Sequence, residues 1–357
     1  MTKSWLDADI IAEHSLDMRQ FMDFRESRLP NGMRIIEAYN SSGLTFTLLP
    51  DRGMDIWSAH YNGMPLTWIA PGSPHPPDYG QSWLSLFNGG LLTTCGLTHV
   101  GPPEDGRDIH GNYTRLYAED IRKKQCKRGL RLYSKINQSS LFGEQLEVKR
   151  TYTLSLGMPR IELYDEVTNI GDKPTPFMLL YHCNLGYPVV REGTELIVAS
   201  DVYPRDDNAK AGVDTWNHYE AASVGYEEQV FFHHVRTIKG ERKDFAVATL
   251  RNQDIALEFA WNTRQMPYLT QWKNTRQRIY VCGIEPGNCI PEGQHAASKS
   301  GRLVMLNPSE THRFNLCIEV KDGETVDAKK LNMQEFGKPV EACNLSDYSK
   351  YTHDGSQ

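Results

Sequence analysis

Apolar and polar positions alternate with a period of two through the middle and the end of the chain, in 130–136, 146–154, 160–167, 255–259 and 313–320. Each segment puts its apolar residues on one face and its polar residues on the other, the pattern of a strand in an antiparallel sheet with one solvated side. Short turn signals lie between such segments, among them Asn62-Gly63, Asn169-Ile-Gly-Asp172 and Asp322-Gly323. Amphipathic helical patterns of ten to fifteen residues alternating with strands are missing, which excludes a doubly wound α/β fold. Helical periodicity is confined to 7–24 and, weakly, to 327–336. No linker, low-complexity tract or fixed-period repeat divides the chain, and the Pro-rich stretch 71–77 reads as a surface loop. The expectation is an all-β chain with one large antiparallel β-sandwich domain over 1–357, its core at about 34–320, and minor peripheral helices.

Composition narrows the function classes. The 357 residues carry 39 basic and 45 acidic side chains for a net charge of −6, with no basic block able to track a phosphate backbone, so nucleic acid is not expected as a partner. No apolar run approaches the roughly 18 residues of a membrane span, and acidic residues stand where a signal peptide needs an apolar stretch. Seven scattered cysteines without a CxxC pair indicate neither a disulfide framework nor a zinc ribbon, which fits a reducing cytoplasm. A homodimer is compatible with the sequence and is not specified by it.

Several strings carry chemistry-bearing residues. In Thr168-Asn-Ile-Gly-Asp-Lys-Pro-Thr-Pro an extended segment ends at a Gly turn; an apolar strand follows and leads into Tyr181-His182-Cys183-Asn184-Leu185. His182 there is either a satisfied core histidine or a proton carrier beside Asn184 and Tyr187. In Gly283-Ile284-Glu285-Pro286 a carboxylate sits between an apolar strand and a Pro-Gly turn. It can work in a cleft or simply bond turn amides. Asp108-Ile-His110-Gly111 and Gly225-Tyr-Glu227-Glu228 add a histidine and an acidic pair, and His233 and His234 follow closely. Adjacent strand residues face opposite ways, so at most one of those two can join a site. With Glu228 and His182, that one would give a weak candidate metal site of mixed nitrogen and oxygen ligands, against the alternative of one core and one surface histidine.

Taken in order, these strings resemble the aldose 1-epimerases (galactose mutarotases), whose turn "TN-G-K-T-P" precedes "H-x-Y-F-N-L" and whose later "G-x-x-L/I-E-P/T-Q" ends a strand. The resemblance runs from about residue 34 to 320 and implies a galactose mutarotase-like β-sandwich with its site in a cleft across one sheet. It implies that His182 is the general acid for the sugar ring oxygen and Glu285 the general base for the anomeric hydroxyl. Imidazole suits such a role because its ordinary pKa lies near neutrality. His110 would hydrogen-bond the sugar and Glu228 would grip its hydroxyls. Asn184 and Thr94 complete the set of candidate sugar-binding residues. The family's "R-x-A-N-R" element is replaced by Gly89-Gly90-Leu-Leu-Thr93-Thr94-Cys95-Gly96, and Arg52 in Asp51-Arg52-Gly53-Met54-Asp55 is the candidate replacement for its sugar-gripping arginine. The longer strings around them, Leu49–Trp57 and Phe87–Gly101, resemble a separate branch of that superfamily.

The implied activity is aldose 1-epimerisation of a free sugar or sugar derivative, with a small-molecule sugar as the expected partner and no cofactor. A non-catalytic carbohydrate sensor is the alternative of another class, with Trp57, Trp68, Trp83, Trp261 and Trp272 suited both to stacking on sugars and to core packing. A metal-dependent sugar isomerase or lyase using His233 or His234 is a third.

Overall fold

The computed structural model describes residues 5–126, 129–237 and 244–323. The helical periodicity of 7–24 resolves into a two-turn helix α1 (Ala8–His14), a 3-10 turn (Met18–Gln20) and the start of a strand. The carboxylates of Asp7 and Asp17 each cap a short helical piece by accepting the amides that follow, and Ser15 is already extended. Only Ala8 and Ile11 of α1 are buried, too short an apolar stripe to hold a longer helix. The weaker helical segment, 327–336, lies outside the described residues.

The first strands are β1 (Asp23–Arg28), β2 (Arg34–Tyr39), β3 (Leu44–Leu49), β4 (Asp55–Tyr61) and β5 (Met64–Pro65), a five-stranded meander in sequence order. Its last turn is Asn62-Gly63, both left-handed at φ 49° and 84°, the geometry that a two-residue hairpin requires. Next come β6 (Thr93–Leu97), β7 (Ala118–Cys126), β8 (Gly129–Ser139), β9 (Gln145–Ser155), β10 (Arg160–Asn169) and β11 (Thr175–Leu185). The chain continues with β12 (Glu195–Val198), β13 (Ser200–Pro204), the short helix α2 (Asp207–Ala211), β14 (Gln229–Val235), β15 (Phe245–Arg251) and β16 (Ala256–Asn262). It closes with β17 (Tyr268–Arg276), β18 (Ile279–Gly287), helix α3 (Gln294–Lys299), β19 (Val304–Leu306) and β20 (Thr311–Lys321).

An eight-stranded sheet has the order β12-β15-β16-β20-β10-β9-β8-β7. A seven-stranded sheet runs β13-β14-β17-β18-β11-β19, with β6 paired to β11. All the strand pairs are antiparallel, and one cluster of buried apolar side chains draws on all three sheets, as expected of a large antiparallel sandwich.

Burial patterns separate the two large sheets. In β8, β9 and β10 buried and partly exposed positions alternate, which is why the period of two was visible in the sequence. In β6, β11 and β18 nearly every residue is buried, because loops from 66 to 117 and after β18 cover the outer face of the seven-stranded sheet. Phe177-Met-Leu-Leu-Tyr181 is therefore a continuous apolar run, not an alternating one.

The three sheets meet on one buried cation. Arg150 of β9 donates from Nε to Asp165 Oδ1 at 3.0 Å and from Nη2 to Asp165 Oδ2 at 2.7 Å, on the neighbouring β10. Its Nη1 reaches Asp55 Oδ1 of β4 and the Gly53 carbonyl, each at 2.9 Å, and its Nη2 also donates to Thr94 Oγ1 of β6 at 2.9 Å. Tyr181 of β11 closes the network by donating its hydroxyl to Asp165 Oδ2 at 2.6 Å. Burial pushes the Asp55 carboxyl up to about 6, and Arg150 opposes that rise.

Removing one member of such a group leaves unpaired buried charge, which costs more than the group contributes against an apolar replacement. Arg150→Met should therefore lower unfolding stability by about 3–5 kcal/mol in urea titration. A loss under about 1 kcal/mol would show that the network does not hold the sheets together.

Candidate active site

Register on the seven-stranded sheet lines up the residues of interest. Phe232 of β14 pairs with Thr270 of β17, and Thr270 pairs with Glu285 of β18. Between β18 and β11 the pairs Leu180–Gly287 and Cys183–Ile284 keep one register, which sets His182 opposite Glu285. The adjacent row on the same face is Val230, Trp272, Gly283 and Asn184. Over these rows folds the segment from Trp83 to His110, enclosing a cavity of about 430 Å³. His110, His182, Glu228 and Glu285 all line it.

His182 Nε2 stands 3.2 Å from Glu285 Oε1, with only 8% and 3% of the two side chains exposed. The approach is off the line of a hydrogen bond, so Oε1 has no hydrogen-bond partner in the protein. Four more buried polar atoms of the cavity residues share that condition: Trp83 Nε1, His182 Nδ1, His110 Nδ1 and Thr270 Oγ1. Buried polar atoms are nearly always paired, so five such atoms around one cavity make it the candidate place for the polar groups of a ligand.

Burial sets the charge state. It drives the His182 imidazole down to about 3, with nearby His110 adding to the fall, and drives His110 down to about 4, with His99 adding. The Glu285 carboxyl is pushed well above the usual carboxylate range, first by burial and then by the charge of Glu228. Burial thus disfavours the imidazolium of both histidines and the carboxylate of Glu285 alike.

The aromatic walls hold the pair in place. Phe87 lies 5.4 Å from the His182 ring and Trp272 5.6 Å from it, centroid to centroid, while Trp83 stacks on Phe87 at 4.6 Å and meets His110 edge-on at 4.9 Å. Trp272 Nε1 donates to Glu228 Oε2 at 2.7 Å, and Arg205 Nη2 donates to Glu228 Oε1 at 3.3 Å, which fixes Glu228 at the rim. His110 itself is left-handed at φ 58° and is followed by Gly111 at φ 76°. A Cβ on Gly111 would stand 2.5 Å from the Gly96 carbonyl oxygen, so close backbone approach requires the glycine that follows His110.

Other candidates from the sequence lie elsewhere. Arg52 is 1% exposed and spends its guanidinium on the carbonyls of Thr114, His75 and Leu86 and on Thr114 Oγ1, bracing the loops rather than facing the cavity. Thr94 belongs to the Arg150 network, donating to Asp55 Oδ1 at 2.7 Å. Asn184 shares the face of His182 but is fully buried, its Nδ2 donating to the carbonyls of Gly90 and His182 at 3.0 Å each, and so holds the strand beside the pair. His233 points to the opposite, core face, between Ser200 and Gln271 and against Trp216. His234 is exposed near Asp201. Glu228, His182 and these histidines therefore do not converge. Of the five tryptophans singled out from the sequence, Trp83 and Trp272 line the cavity. Thr270 and Arg205 also line it and carry no motif, and Phe87, at the head of the 87–101 string, lines it too; strand register and loop placement bring them there.

The family described as Domain of unknown function (DUF4432) matches residues 30–320. Among curated proteins, none matches the sequence. A protein of Klebsiella pneumoniae subsp. pneumoniae assigned to the aldose 1-epimerases shares the fold with a TM-score of 0.80 and 24% identity, over 94% of this chain and 97% of that one. A galactose mutarotase-like protein from Clostridium acetobutylicum gives 0.61 at 13% identity, over 85% and 99%. Galactose 1-epimerase from Lactobacillus acidophilus gives 0.57 at 16%, also over 85% and 99%. The fold is thus the galactose mutarotase-like β-sandwich, in a divergent branch.

Gly283 gives a direct test of how the pair is positioned. A Cβ there would stand 2.5 Å from Glu285 Oε1 and 2.9 Å from Trp272 Cβ. Gly283→Ala should open the His182–Glu285 separation beyond ion-pair reach in a crystal structure and cost about 1–3 kcal/mol of stability through overpacking. An unmoved carboxylate would show that the glycine is not what makes room for it.

Proposed function

We propose, from the premise that the chain belongs to the family described as Domain of unknown function (DUF4432) and has a galactose mutarotase-like fold, that it interconverts the anomers of a free sugar. One observation carries the reading: a buried acid/base pair whose reacting atoms are 3.2 Å apart, at the base of an aromatic-walled cavity. Groups so close can act together on two oxygens bonded to the same carbon. The anomeric carbon of a cyclic sugar has that arrangement, a hydroxyl and the ring oxygen. Glycoside hydrolysis by contrast uses two carboxyl groups about 5–9.5 Å apart.

The pair holds one proton whichever member carries it. With a sugar bridging the two groups, that proton passes to His182 and leaves Glu285 ionised. Glu285 takes the proton of the anomeric hydroxyl while His182 gives its proton to the ring oxygen, and the C1–O5 bond breaks to leave an open-chain aldehyde. Rotation about C1–C2 and reclosure with the proton transfers reversed yield the other anomer, so protons and bonds balance over the cycle. His110 stands beside the pair to bond the ring or a neighbouring hydroxyl. The buried position of the pair strengthens each of these interactions.

Glu285→Gln should keep sugar binding and lower the rate of anomer exchange by about 10²–10⁴-fold in saturation-transfer NMR. An unchanged rate removes Glu285 from the mechanism and favours a binding role. A second expectation concerns pH. Inactivation in acid requires a second proton on the pair, and His182 takes one only near 3, so kcat/KM should hold as pH falls through the ordinary histidine value of about 6.5 and decline only toward 4 and below. At high pH, activity should fall as the pair loses its single proton. A midpoint near 6.5 on the acid side would contradict a buried, neutral His182.

A further inference from the structure

The cavity's polar groups are few and unevenly placed. His182 and Glu285 are committed to the reacting carbon, which leaves His110 and Thr270 deep in the cavity and Glu228 and Arg205 at its rim. The rim groups already satisfy one another in part: Glu228 accepts from Trp272 at 2.7 Å and from Arg205 at 3.3 Å, and Arg205 also donates to Asp206 at 2.8 Å. Trp83 adds one more buried donor, its Nε1, and much of the remaining wall is Leu84, Phe87, Ile109, Val230 and Pro291. A hydroxymethyl group turned toward that part of the wall would meet no polar side chain.

Charge narrows the choice further. Among the lining residues Arg205 is the cation, and it stands between two carboxylates, Glu228 and Asp206. Both lining histidines are held neutral by burial. Arg52, which could have met an acidic sugar, is sealed behind the loops. A carboxylated or sulfonated sugar would find no uncompensated positive charge among the groups that line the cavity.

We propose that the site selects neutral 6-deoxyhexoses, sugars in which a methyl group replaces the hydroxymethyl. The methyl packs on the apolar wall while the hemiacetal end meets His182, Glu285 and His110. The inference rests on the anomer-exchange reading for which end of the sugar faces the pair, but its test does not depend on turnover.

The experiment compares matched sugars that differ only at that group, 6-deoxy-D-glucose with D-glucose and 6-deoxy-D-galactose with D-galactose, with D-glucuronate as the anionic probe. Binding is read from the fluorescence of Trp83 and Trp272, which line the cavity, and anomer exchange from saturation-transfer NMR on the same samples. The expected result is that at least one deoxy sugar binds about 10-fold or more tighter than its hydroxymethyl partner, with glucuronate the weakest; a hydroxyl against an apolar pocket discriminates on the order of 10- to 100-fold. Val230→Asn, which puts an amide into the wall, should shrink that ratio. Equal binding within each pair, tighter binding of the hydroxymethyl sugars, or no binding of any probe would overturn the deoxy-sugar inference. A deoxy preference in binding without exchange of any sugar would uphold the inference and overturn the isomerase reading, so the two failures remain distinct.

Discussion

Arg150 is the point on which the architecture depends. A guanidinium buried between sheets is costly unless every donor finds an acceptor, and here it does so with two carboxylates, a carbonyl and a hydroxyl from four different segments. Those acceptors belong to β4, the turn before it, β6 and β10, while Tyr181 of β11 bonds to the same Asp165. The cation therefore fixes how the five-stranded meander sits on both large sheets. It also fixes β11 one residue before His182, since Tyr181 is committed to the core side and its neighbour must face the other way. The placement of the reactive pair follows from a charge network on the opposite face of the same strand.

The outer face of the seven-stranded sheet shows the complementary choice. Instead of leaving it solvated, the fold covers it with the loop segment braced by Arg52, whose guanidinium ties 114, 75 and 86 together. The cover produces a cavity where burial disfavours the charged forms of His182 and Glu285 and leaves five buried polar atoms without partners, a condition that works against stability. Strongly shifted groups clustered in a cleft make it the candidate functional site. The Arg150 network and the packed core compensate for that cost on the other side of the sheet.

The sandwich was readable where strands have one solvated face. β8, β9, β10 and β20 alternate, and the period of two reports the burial directly. It was unreadable around 7–24, where two aspartate caps cut the helical pattern into short pieces before a strand begins. Among the candidate site residues the sequence could name the types but not their facing. His110, His182, Glu228 and Glu285 come together around one cavity. Thr94, Asn184 and Arg52 stand in equally polar, glycine-rich strings, yet each of them bonds to the protein itself.

The sequence by itself determined the strand alternation, the turns, and the His-Gly, His-x-Asn and Glu-Pro strings, because these depend on residues near one another in the chain. Tertiary structure alone decided which polar groups face a ligand, because that depends on strand register and on which loop covers which face. A shift of one residue would turn His182 toward Arg150 and Tyr181 toward the cavity. Thr270 and Arg205 carry no local signal at all, and their place around the cavity comes from contacts between segments far apart in sequence. The charge state of the pair was equally beyond the sequence, since it is set by how completely the aromatic walls exclude water.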